Sequence, residues 1–186
     1  MKQLVAFSAL LMTLAVSSCA ESAKEKEVVT VEQKEEQVKM LEDSLKKGLI
    51  DPRTQANVDV RYAESCLGVY RAARKSEKAP AYLDKAHMIY SSSGMHRLAV
   101  MYADTLIQQY PNYKNRPMVL LSLASAYDMF ILPRRKDLVK KYYEMLLTEN
   151  PDLPKDEADG YRFRLENIDK TYDELIDLQA QKAVNQ

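Results

Sequence analysis

The chain has 186 residues, with 27 basic against 27 acidic side chains and 46% apolar residues. That balance argues against nucleic acid, which asks for a basic face, and four glycines with seven prolines suit one helix-rich domain of ordinary size rather than a low-complexity chain. Two cysteines, Cys19 and Cys66, and two histidines, His87 and His96, make a thin supply for thiol, metal or imidazole chemistry.

Met1, Lys2 and Gln3 precede thirteen mostly apolar positions, Leu4 to Val16. That run is shorter than the roughly twenty residues a bilayer span needs, and it follows a charged start, so residues 1–18 read as a signal peptide. The segment V-S-S-C, ending at Cys19, resembles the lipobox of bacterial lipoproteins. The resemblance implies cleavage before Cys19 and a lipid thioether on its sulfur. Three acyl chains would then hold the protein firmly, where a single chain binds only marginally. The competing reading is a cleaved secretory peptide with an incidental cysteine. With Cys19 lipidated, Cys66 has no partner for an intramolecular disulfide.

Residues 19–36 contain A-E-S-A-K-E-K-E, which is charged and carries no packing stripe, so the segment is expected to be a tether. Residues 37–186 form the expected domain. Val38, Leu41 and Leu45 make a helix face that ends near Gly48. Asp51 is a candidate N-cap with Pro52 in the first turn of the next helix. Val58, Tyr62, Cys66, Val69, Tyr70 and Ala73 line one side of that helix, which places Cys66 inside. From Ala79 the chain repeats itself over about 80–111 and 117–151, each unit being an amphipathic helix, a break, a second helix and a proline. Pro111 and Pro151 lie 40 residues apart, and Tyr90 and Tyr127 lie 37 apart. Such periods indicate stacked helical hairpins, here about three of them. A last helix carrying Tyr161, Leu165, Ile168, Tyr172 and Leu175 is expected to close the stack.

The pattern is similar to that of tetratricopeptide repeats, known as TPR. Leu120, Leu123, Ala124 and Tyr127 fit the first helix of such a unit, and Val139, Tyr143, Leu146 and Pro151 fit its second. Leu83, Ala86, Tyr90, Ala99 and Pro111 fit the preceding unit, with His87 and Ala103 departing from the pattern. The stretches V-K-M-L-E-D-S-L, K-A-P-A-Y-L-D-K-A, Q-Q-Y-P-N-Y and L-E-N-I-D-K further resemble small TPR lipoproteins of Bacteroidota. More distant similarity extends to the TPR lipoprotein of the outer-membrane barrel-assembly machinery and the Tol–Pal-associated TPR protein. The resemblance implies an all-α, TPR-like hairpin stack that acts by binding other envelope proteins.

Catalytic and metal-binding signatures are missing from the sequence: it contains no G-x-S-x-G, P-loop, H-E-x-x-H or C-x-x-C. The reading is therefore of a protein that is not an enzyme, with no cofactor beyond the covalent lipid on Cys19 and no metal. His87 and His96 read as packing and capping residues. Binding falls to the inner face of the stack, where Ala81, Asp84, Met88, Ser91, Met118, Leu121, Ser125, Asp128 and Met129 would line a groove. Methionines offer adaptable apolar contact, and the aspartates could hold a basic or amide group. A second candidate is the basic run of Arg134, Arg135, Lys136, Lys140 and Lys141, suited to headgroups, phosphates or an acidic protein. By the lipoprotein resemblance, Ala20 after the lipidated cysteine and few acids beside it imply the outer membrane with the domain facing the periplasm, the cell surface being the alternative. The expected role is an interaction scaffold; the alternative is a carrier or sensor of a small envelope ligand such as a peptidoglycan fragment.

Overall fold

A computed structural model describes residues 29–48, 51 and 54–184. The signal peptide, Cys19 and most of the tether lie outside these residues. The described chain is all-α: α1 (Val31–Lys46), α2 (Gln55–Ala72), α3 (Ala79–Ser92), α4 (His96–Gln109), α5 (Arg116–Ser125), α6 (Lys136–Glu149), α7 (Lys155–Glu166) and α8 (Tyr172–Val184). A π-helical turn, Ala126–Phe130, continues α5.

Local chemistry sets most of these boundaries. Thr30 and Gln33 form a capping box: the Thr30 amide donates to Gln33 Oε1 at 2.8 Å and the Gln33 amide donates to Thr30 Oγ1 at 3.3 Å. The first helix therefore takes in residues 31–36, which composition assigns to the tether, and Val31 joins Leu41 and Leu45 against the core. The second helix begins after Thr54 rather than at Asp51. Gly94 adopts φ +73° between α3 and α4, where the Met95 amide donates to the Tyr90 carbonyl at 2.8 Å. That left-handed turn reverses the chain in three residues and is costly for a residue with a Cβ.

Helices from α1 to α7 pack on their chain neighbours in series, and side chains link alternate helices. Lys78, just before α3, and Lys85 within it bond Glu35 and Glu42 of α1 at 3.1 Å each. Tyr70 of α2 donates to Gln109 of α4, and Tyr142 of α6 donates to Asp104 of α4. One continuous core runs from Val38 to Leu146.

The repetition seen in the sequence recurs in side-chain geometry. Tyr90 stacks on Tyr102 with ring centroids 5.6 Å apart, and its hydroxyl donates to Glu64 at 2.6 Å. Tyr127 stacks on Tyr142 at 5.9 Å, and its hydroxyl reaches Asp104 at 3.4 Å. Glu64 and Asp104 are 40 residues apart, as are Tyr102 and Tyr142. The helix ends match too: Tyr110 and Asn150 share φ −129°, and their amides donate to Leu106 and Leu146. Each proline follows directly, where it blocks further helix.

The last expected helix is two. Asn167 to Thr171 separate α7 from α8, and Thr171 with Glu174 forms a second capping box. Arg164 stabilises the break. Its guanidinium donates to Asp128 Oδ2 at 2.5 Å, to Asp128 Oδ1 at 2.7 Å, and to the carbonyls of Asn167 and Lys170. The π-helical turn carries Asp128 to this place, and Arg134 Nε bonds the same carboxylate at 2.7 Å. Removing one partner from a buried charge cluster costs about 3–5 kcal/mol. Arg164→Met is therefore expected to lower urea-unfolding stability by about 3 kcal/mol, and a loss below about 1 kcal/mol would show that Arg134 suffices alone.

Candidate functional site

The faces of α3 and α5 carry matched spacing. Asp84, His87, Met88 and Ser91 stand at i, i+3, i+4 and i+7, and Asn115, Met118, Val119 and Ser122 repeat that interval. Such residues share one side of a helix, so the two elements face each other across a groove of about 420 Å³. Met88 and Met118 are 59% and 66% exposed and form its walls.

Its floor is a connected polar network. Asp84 Oδ2 accepts from the Tyr113 hydroxyl at 2.9 Å and from Asn115 Nδ2 at 3.3 Å. Asp84 Oδ1 lies 3.2 Å from His87 Nδ1, and His87 Nε2 lies 2.8 Å from Ser122 Oγ. Burial pushes the Asp84 carboxyl up, but the hydrogen bonds from His87, Tyr113 and Asn115 outweigh it and hold the group below the ordinary aspartate value of 3.8. Asp84 is thus an ionised acceptor at neutral pH, and His87 Nδ1 supplies a proton to it.

Four of the nine expected groove residues line this groove: Asp84, Met88, Ser91 and Met118. Ala81 lines a neighbouring cleft, while Leu121 and Ser125 are half-buried elsewhere on α5, and Met129 is exposed on the π-helical turn. Two expectations need correction. Neither aspartate is a free arm for a ligand, because Asp84 is buried under three donors and Asp128 under two guanidinium groups. Ser122, Tyr113 and Asn115 are absent from the sequence-based set; the i+3 and i+4 intervals on α5 were the signal for Ser122.

The basic run is also not one open patch. Arg134 is mostly buried against Asp128, and its Nη1 donates to the Ile168 carbonyl at 2.8 Å. Arg135 pairs with Asp137, Lys136 with Asp169, and Lys140 with Glu144. Lys141 sits over the Tyr142 ring at 4.8 Å. His96 stacks on Phe130 at 4.2 Å at the start of α4. Cys66 is fully buried, and burial pushes its thiol up to about 12.

The order Asp84–His87–Ser122 has the connectivity of an acid–base–nucleophile relay. Ser122, however, lies inside α5, where the neighbouring amides are committed to the helix, so no backbone pair there faces a developing oxyanion. What the network does supply is a rigid, polar floor under an apolar groove. Among the described residues, no cluster of His, Cys, Asp and Glu is suited to holding a metal ion, and no helix is long and apolar enough to cross a membrane. A scan of protein-family models, a search of curated proteins and a search of solved structures each find no match.

Two outcomes follow from these groups. Asp84 contributes stability above its ordinary value of 3.8, and this is lost as pH falls through its lower folded-state value. Acid unfolding followed by circular dichroism is expected to be steeper below about pH 4 for the native chain than for Asp84→Asn; parallel curves would contradict an ionised, hydrogen-bonded carboxylate. The Cys66 thiol is expected to resist a thiol reagent in the folded protein and to react on unfolding. Rapid modification without denaturant would contradict its burial.

Proposed function

We propose that this protein is a lipid-anchored, TPR-like scaffold of the bacterial cell envelope, which docks a partner protein in the groove between α3 and α5. The observation that carries the reading is the pairing of two helices with the same i, i+3, i+4, i+7 face, walled by exposed methionines and held in register by the Asp84 network. Repetition of the Tyr–Tyr–carboxylate arrangement at 37- and 40-residue intervals supports a TPR-like unit, because each unit meets its neighbour in the same way. The lipobox-like V-S-S-C supports attachment through Cys19, with the domain on the periplasmic side of the outer membrane.

Photocrosslinking in cells tests the docking face. A photoreactive residue at Met118 is expected to capture a partner that one at Met40, exposed on α1, does not. Met88→Glu should abolish that adduct while leaving the fold intact. Adducts of equal yield from both positions, or insensitivity to Met88→Glu, would remove the groove from the account. Cys19→Ser is expected to move the protein from the membrane to the soluble fraction, and its retention in the membrane fraction would remove the anchor.

A second reading has one observation of its own. A cleft of about 1030 Å³ lies beside the groove, lined by Tyr82, Tyr110 and Tyr113 with Pro80, Ala81 and Lys114. Aromatic faces with polar tips suit a small ligand that is partly apolar and partly hydrogen-bonding, which is the character of a peptidoglycan fragment. Thermal stabilisation by muropeptides, lost in Tyr82→Ala, would favour this reading.

A further inference from the structure

We infer that the groove between α3 and α5 receives a cationic group on an apolar chain, a lysine or amino terminus flanked by apolar residues of the partner, and turns carboxylates away. This rests on the groove being the docking face and specifies the chemistry that face accepts.

The inference comes from following each proton on the floor. Asp84 is acceptor-only, and it takes hydrogen bonds from Tyr113, Asn115 and His87. In the tautomer that donates Nδ1–H to Asp84, His87 Nε2 is the acceptor. Ser122 stands 2.8 Å from Nε2, so its hydroxyl proton points inward and its oxygen lone pairs remain. The Asn115 amide nitrogen donates to Asp84 and to the Tyr113 oxygen, which leaves Oδ1 as its free polar atom. Ser92 donates to the Ile89 carbonyl at 3.0 Å, again leaving an acceptor. Ser91 can turn either way.

Charge points in the same direction. No lysine or arginine lines the groove. Lys85, one residue from Asp84, turns to Glu42 at 3.1 Å, and Lys114 lines the neighbouring cleft. The ionised Asp84 lies beneath the floor with hydrogen-bond donors around it and no described lysine or arginine bonded to it. An ammonium entering the groove meets acceptors and a negative field; a carboxylate meets acceptors it cannot bond and a like charge. Met88, Met118 and Val119 supply the apolar walls for the attached chain.

Two small probes of the same length and opposite charge separate these outcomes: n-hexylammonium and hexanoate, titrated at about pH 8, where both probes are charged. The protein carries carbon-13 in its methionine methyl groups, so Met88 and Met118 report directly. Hexylammonium is expected to shift both methyl signals and to bind at least about ten-fold more tightly than hexanoate. Asp84→Asn is expected to shrink that preference. Met118→Lys, at an exposed position where folding is not at stake, is expected to weaken hexylammonium and strengthen hexanoate. Equal binding, a preference for hexanoate, or shifts that miss both methionines would overturn the inference. A partner crosslinked from Met118 alongside a preference for hexanoate would leave the docking face standing and the charge assignment refuted.

Discussion

Tyr90 and Tyr127 each reach backward, from the first helix of one pair to a carboxylate on the second helix of the pair before. Their rings meanwhile stack on Tyr102 and Tyr142 within their own pair. One side chain thus does two jobs: its face closes the packing inside a pair, and its hydroxyl fixes where the previous pair must sit. A helix pair leaves one apolar face uncovered, and stacking on a neighbour covers it. Packing alone is tolerant of sliding, whereas a hydrogen bond at the edge of a buried ring is not. The register set by these tyrosines brings α5 beside α3, and the groove exists because of that register.

The groove floor applies the same principle with a charge. A lone buried aspartate would be costly, and Asp84 is tolerable because donors arrive from three places: its own helix, the turn at Tyr113 and the start of α5. Those donors also tie the turn after α4 to the side of α3. The groove walls, by contrast, are methionines with no fixed polar partner, so they can adapt while the floor stays put. The basic run after Pro133 divides into pairs with Asp128, Asp137, Asp169 and Glu144, and most of its charge is answered within a few ångströms. The run therefore carries less unanswered charge than its sequence suggests.

What the sequence made legible was whatever depends on spacing along one helix. The buried faces of Leu83, Ala86 and Tyr90, of Leu120, Leu123 and Ala124, and of Tyr62, Cys66 and Val69 follow from periodicity. So do helix ends at Gly48, Pro111 and Pro151. Partners contributed by distant elements were not legible. Nothing near Asp128 announces Arg164, 36 residues later, and nothing near Asp84 announces Tyr113. The break before α8 was hidden for another reason: Leu165, Ile168, Tyr172 and Leu175 keep helical intervals straight across it, although the T-Y-D-E capping box at Thr171 marks the new start. Likewise T-V-E-Q at Thr30 marks a helix start inside a stretch whose charge suggests a tether.

Arg164 also bears on where the chain could be lengthened. Its guanidinium gathers Asp128 and the carbonyls of Asn167 and Lys170, holding the turn after α7 against the π-helical turn that continues α5. An added 40-residue unit inserted after Pro111 would take Tyr113 and Asn115 away from Asp84 and leave that buried carboxylate with His87 alone. The same unit inserted after Pro151 would drive Arg164 away from Asp128 and leave a buried carboxylate with half its cations. Lengthening at either place thus strands a buried carboxylate.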